Sequence, residues 1–248
     1  IAGTACSEDD TTEPTPVTAN VRVVHASPDA PNVDVLVDNV VVLTNVPYEA
    51  ASAYLEVPAG TRNFKVNATG TTTTVIDADV AVTSGMYYTV MATGPVASIQ
   101  PLVLTDDLTN PAAGNVKVRL VHGAPSAPNV DIYVTAPGAD ISMMAPTLTD
   151  VPFRGYSDYL EVPAGSYQVR ITPTGTKTVA LDTGTLAVTA GQIRTGVALD
   201  ADDDEALGRE NFEIGRNVFF LPGNERAAVD PEDDRAQARR IGQENIKF

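Results

Sequence analysis

The sequence predicts an all-β protein: two tandem immunoglobulin-like β-sandwich domains, with an extended N-terminal tether and a short C-terminal helix. Three observations lead there. A long stretch of sequence occurs twice, in the same order. Within each copy, apolar residues alternate at a period of two, as in a strand with one face in a core. Turn-forming residues punctuate both copies at short intervals, and no segment inside either copy holds a helical period. The 248 residues are enough for two domains of ordinary size.

Residues 1–18 read as the tether. Ile1-Ala2-Gly3-Thr4-Ala5-Cys6 leads into Ser7-Glu8-Asp9-Asp10 and then a stretch rich in Thr and Pro up to Pro16. Such a composition favours extended, solvated chain with little to bury. The small residues before Cys6, the only cysteine, resemble the end of a lipoprotein signal. That resemblance implies a lipid on Cys6; a covalent link between subunits is the other use open to it. One cysteine cannot make an intrachain disulfide or a Cys-based zinc site.

Residues 19–109 form the first repeat. Val21, Val23 and His25 share one face of a strand, as do Val33, Val35 and Val37, and then Phe64 and Val66. Val, Thr, Ile and Tyr suit a pleated surface. Asp38-Asn39, Pro58-Ala59-Gly60, Thr69-Gly70 and Ser84-Gly85 mark turns. About seven short strands in a hundred residues point to a sandwich, because a lone sheet would leave one apolar face in water.

Residues 110–114, Asn-Pro-Ala-Ala-Gly, are the linker, and residues 115–222 the second repeat. His25-Ala-Ser-Pro28-Asp-Ala-Pro31-Asn32-Val33-Asp34 returns as His122-Gly-Ala-Pro125-Ser-Ala-Pro128-Asn129-Val130-Asp131, 97 positions on. Tyr54-Leu-Glu-Val-Pro-Ala-Gly60 returns unchanged as Tyr159-Leu-Glu-Val-Pro-Ala-Gly165, 105 positions on. The growth of the offset from 97 to 105 places eight extra residues between the motifs, around Ala136-Pro137-Gly138-Ala139-Asp140. A hairpin lengthens there at small entropic cost. Val218-Phe219-Phe220-Leu221 is the last strand expected.

Residues 223–248 form the tail. Asp230 can cap a helix, Pro231 suits its first position, and Glu232, Asp233 and Asp234 favour its positive end. Arg239 and Arg240 favour the other end, and Gly242 can terminate it.

The two motifs, running from Arg22 to Val35 and from Tyr54 to Gly60, resemble the family called domain of unknown function 4397, and both motifs recur in the second copy. The resemblance spans roughly residues 20–200. It implies a β-sandwich, tandem copies and a secreted or surface-anchored prokaryotic protein. It implies no activity.

Charge narrows the function. Against 16 Lys and Arg stand 32 Asp and Glu, a net charge of −16 and a pI near 4.3. Such a surface repels phosphate backbones and anionic lipid heads, so neither nucleic acid nor a membrane held by charge is expected. Contact with a membrane would run through a lipid on Cys6 alone. No apolar run approaches the ~20 residues of a membrane span.

His25 and His122 each precede a Pro-rich turn and stand nine residues before Asp34 and Asp131. Asp29 of the first copy is Ser126 in the second, so a metal-ligand set is not repeated. These four residues therefore read as structural turn motifs, with no catalytic, cofactor or metal site. Asp106-Asp107 and Asp202-Asp203-Asp204-Glu205 lack the spacing of a calcium loop and read as solvated acidic loops. Tyr48, Tyr54, Tyr87, Tyr88, Phe153, Tyr156 and Tyr159 either fill sandwich corners or line a sugar-binding face. No nucleophile–base pair can be assembled.

The function expected is that of a non-catalytic extracellular or cell-surface protein, structural or adhesive, with self-association or envelope partners. One version is a filament subunit joined through its terminal segments. The alternative is a surface lipoprotein module that binds carbohydrate or another small ligand.

Overall fold

The computed structural model describes residues 17–200 and the backbone of 218–222. Most of the expected tether, with Cys6, and the expected helix from Asp230 to Gly242 lie outside the described residues. The described residues divide into two compact units, one centred on residues 31–92 and one holding the described residues from Asp106 onward.

In the first repeat the strands are β1 (Thr18–Ala26), β2 (Val33–Val37), β3 (Val40–Val46), β4 (Leu55–Pro58), β5 (Gly60–Ala68), β6 (Thr74–Val82), β7 (Tyr87–Thr93) and β8 (Gln100–Asp106). They form two four-stranded sheets, ordered β4-β1-β7-β8 and β3-β2-β5-β6. The second repeat follows the same plan with β9 (Asn115–His122), β10 (Val130–Thr135), β11 (Leu148–Val151), β12 (Leu160–Pro163), β13 (Gly165–Pro173), β14 (Leu181–Val188), β15 (Ile193–Ala198) and β16 (Val218–Pro222). Its sheets run β12-β9-β15-β16 and β11-β10-β13-β14. The two halves therefore share one strand order, position for position. β16 falls where the Val218–Leu221 strand was expected and pairs antiparallel with β15.

Among the described residues the two-sheet sandwich is present in both repeats, with eight strands each. The constant-type immunoglobulin sandwich joins its first, second, fifth and fourth strands in one sheet. Here the first strand instead lies between the fourth and the seventh, and β9 runs parallel to β15.

Local chemistry sets the connections. Asp38 and Asn39 take φ of 49° and 67°, two left-handed residues in succession, which is the type I′ geometry that matches strand twist. In the second copy the same connection runs from Thr135 to Leu148 and holds the inserted residues.

Each core lies between its own two sheets. In the first, Ala19, Val21, Val57, Tyr88 and Val90 from one sheet meet Val37, Phe64, Val80 and Val82 from the other. In the second, Leu120 and Ala198 meet Val130, Ile132, Val169, Ile171 and Leu181. β1 departs from simple alternation, since Arg22 and Val24 are buried along with Val21 and Val23. The Arg22 guanidinium lies over the Tyr54 ring, so the outward face of the strand is covered as well.

Candidate functional site

The His motif ends the first strand of each repeat. His25 accepts a backbone hydrogen bond at its carbonyl from Glu49 and donates its own N–H to Ala50 O; His122 does the same with Arg154 and Gly155. The strand end is thereby tied to the segment that follows β3 or β11. Each ring then reaches across its Pro-rich turn: Nε2 lies 3.1 Å from Pro31 O in one copy and 3.1 Å from Pro128 O in the other. A carbonyl only accepts, so the proton sits on Nε2 in both rings. Tyr48 meets His25 edge-on at 6.0 Å, and Phe153 meets His122 at 6.3 Å. Burial lowers both imidazole pKa values below 6.5, against the carbonyl contact, which acts to raise them. Both rings are thus neutral donors enclosed by their own turn.

Asp34 and Asp131, just past that turn, bind two neighbouring connections. Asp34 accepts from Asn45 N at 2.8 Å, Thr69 Oγ1 at 3.0 Å and Gly70 N at 3.2 Å. Asp131 accepts from Asp150 N and Gly175 N, each at 2.9 Å. Asn45 and Asp150 stand at φ 55° and 53°, a conformation that short polar side chains tolerate. The backbone N–H of Asn45, followed by Gly70 N and Thr69, holds the Asp34 carboxyl below its ordinary pKa. Asn32 Nδ2 completes the clamp on Asn45 Oδ1, as Asn129 Nδ2 does on Asp150 Oδ1, both at 2.9 Å.

A third duplicated cluster was not singled out from sequence. Arg22 Nε donates to Thr89 Oγ1 at 2.9 Å, and its Cζ lies 5.0 Å from the Tyr54 ring centre. Arg119 Nη2 donates to Thr195 Oγ1 at 3.1 Å, with Cζ 4.8 Å from the Tyr159 ring centre. Arg119 also pairs with Asp106, their side chains 3% and 0% exposed. The signal was present: an Arg returns at the 97 offset inside an otherwise apolar strand.

That pairing corrects one expectation. Asp106-Asp107 is no solvated acidic loop. Asp106 closes β8 and is buried against Arg119, and Asp107 Oδ2 takes a 2.7 Å ion pair from Lys117. Hydrogen bonds from Lys117 and then Thr109 lower the Asp107 pKa to about 2. The cations on β9 supply the compensation that burial of a carboxylate requires. Asp202 to Glu205 lie outside the described residues.

The aromatics go mainly to packing. Tyr54 and Tyr87 meet edge to face at 5.1 Å, Tyr88 is in the first core, and Tyr159 lies under Arg119. Tyr156 differs, being 52% exposed. Among the described residues, no group of three or more His, Cys, Asp or Glu is placed to hold a metal ion.

Comparison with known proteins bears on family and not on ligand. No curated protein matches the chain. Among solved structures, a streptococcal virulence factor that binds alpha-glucan matches at 13% identity and TM-score 0.28, over 80% of this chain and 97% of that one. Family 41 carbohydrate-binding modules from streptococcal virulence factors match at 12% identity and TM-score 0.27, over 72% and 93%. A family 26 carbohydrate-binding module of Eubacterium rectale Amy13K, solved with maltoheptaose, matches at 9% identity and TM-score 0.26, over 73% and 92%. Likenesses of this order carry neither a ligand nor a detailed fold to this chain. The family model described as "Domain of unknown function (DUF4397)" matches residues 19–133 and 134–210, and with most of its length so matched the chain belongs to that family.

Proposed function

We propose that this protein is a non-catalytic extracellular or cell-surface module, structural or adhesive, whose two sandwiches present their terminal segments to other copies or to envelope partners. One observation carries the reading. The residues best suited to chemistry, His25, Asp34 and Arg22 with their counterparts His122, Asp131 and Arg119, are occupied by matching turn and packing contacts in both repeats. A reactive group must keep an open valence toward a cleft. These groups spend theirs on the fold. The acidic surface, the tether-like composition of residues 1–16 and the family resemblance support the surface address.

The test compares the full chain with one lacking residues 1–17, by analytical ultracentrifugation and electron microscopy. Particles from the full chain and folded monomers from the shortened one are expected. Identical particles from both, or a full chain that stays monomeric at high concentration, would rule out assembly through the N-terminal segment. Carbohydrate recognition is the second reading, favoured by the exposed ring of Tyr156. It replaces the first if a soluble α-glucan binds the monomer and Tyr156→Ala abolishes the binding.

A further inference from the structure

A strand at the edge of a sheet offers unpaired backbone groups, and proteins blunt it with charge, proline or shortening. Each of the four sheets has two such edges. Among the described residues, seven of the eight edge strands contain a charged residue or a proline. In the first repeat these are Asp77 and Asp79 on β6, Glu56 on β4 and Pro101 on β8. In the second, all four edges carry one, Asp150 on β11 among them. β3, Val40-Val-Val-Leu-Thr-Asn-Val46, has neither. Its sister β11 is cut from seven residues to four and follows the long connection from Thr135. The first repeat therefore keeps open the edge that the second has blunted.

The open edge is apolar. Val40 and Val41 are 66% and 53% exposed. The two-residue turn at Asp38-Asn39 makes Val37 and Val40 the hydrogen-bonded pair beside it. Val41, next along and in register with Leu36, then turns its N–H and C=O away from β2. Val42 is the residue skipped between the Leu36–Val41 and Val35–Leu43 pairs, and this bulge adds twist. The straight part of the edge is therefore short, and a strand that pairs with it is held weakly.

We propose that β3 pairs antiparallel with β3 of a second copy of this chain, about a two-fold axis. Charge selects the occupant and its direction. Two chains of net charge −16 repel, so they meet most easily along an edge that carries no acid. At the turn end of β3, Arg62 pairs with Asp38 at 3.0 Å and Lys65 Nζ lies 3.7 Å from Asp77, so the charges there cancel. The far end holds Asp34, bound to Asn45, and Glu49. Antiparallel order lays the compensated end of one copy beside the acidic end of the other. Parallel order would set acid on acid. A strand matched to itself is an isologous contact, and one open edge in each chain closes the set at two. This contact is separate from the terminal one proposed above and dissociates on dilution.

Hydrogen exchange of the full chain, read by mass spectrometry with residue-level fragmentation in dilute and concentrated solution, is the test. The Val41 amide should exchange about tenfold more slowly in the concentrated sample, with the amides of β6 unchanged. Val41→Glu sets an acid beside the acidic end of the partner copy and should abolish the slowing. Val41→Lys sets a cation there and should retain it. Both variants change an exposed side chain, so both should fold; the native chain decides the matter if they do not. Slowing at Val41 without larger particles would keep this contact and refute the terminal one, and particles without slowing would do the reverse. Equal slowing along β6, slowing that persists in Val41→Glu, or its loss in both variants would each overturn the proposal.

Discussion

A buried imidazole whose ring N–H is held by a carbonyl has no use for a second proton. Burial keeps His25 and His122 below the ordinary 6.5, whereas in the unfolded chain each takes up a proton near that pH. The unfolded state therefore binds more protons on the acid side, and stability must fall there. The contribution of these residues is full above pH 6.5 and is lost progressively as the pH drops toward their folded values. Replacing both by Gln, which keeps an N–H for the carbonyl, should lower the midpoint at pH 7.5 and flatten its decline between pH 7.5 and 5. Thermal unfolding at several pH values measures it; a decline as steep in the double variant as in the native chain would show that the rings titrate freely. The recurrence of His, Pro and Asp together in both copies was legible in the sequence. Their partners Tyr48 and Phe153 were read as corner packing or a sugar-binding face, with no link to either His. Which ring meets which His depends on the segment after β3 or β11, whose left-handed residues do not show in an apolar pattern.

At the scale of elements, period-two alternation located the strands but could not order them. It says which residues share a face and not which strand lies beside which, so β1 between β4 and β7 was beyond reach. It also gave β1 a solvent face, because Arg22 reads as a surface residue until Tyr54 is seen beneath it. Asp106-Asp107 was misread for a related reason: a pair of acids looks solvated in sequence, and the cations facing it stand on the next strand. The two acids now make opposite predictions. Asp106→Ala strips the partner from a buried Arg119 and should cost about 3–5 kcal/mol. Asp107→Ala breaks a pair whose carboxylate is 48% exposed and should cost about 0–1 kcal/mol. Denaturant unfolding of the two variants compares them directly, and equal losses would mean that the Arg119–Asp106 pair is no more desolvated than its neighbour.

For the whole molecule, the duplication was legible because two separated motifs recur in order, and the shared strand order of the two halves agrees with it. The role was far less legible. A module whose polar residues serve its own turns leaves no chemical signature. The assembly reading has a physical consequence at this scale. Each chain carries a net charge of −16, so neighbouring chains repel at long range. Contacts made by backbone pairing along strand edges carry no compensating charge. Raising ionic strength from about 0.01 M to about 0.15 M shortens the screening length from roughly 30 Å to roughly 8 Å. Salt should therefore promote particle formation by the full chain at pH 7.5, a shift that light scattering reads. Dissolution of the particles by the same salt would show that opposite charges hold them. The contact would then have to lie where the basic residues cluster, and edge pairing through the terminal segments would be the wrong geometry.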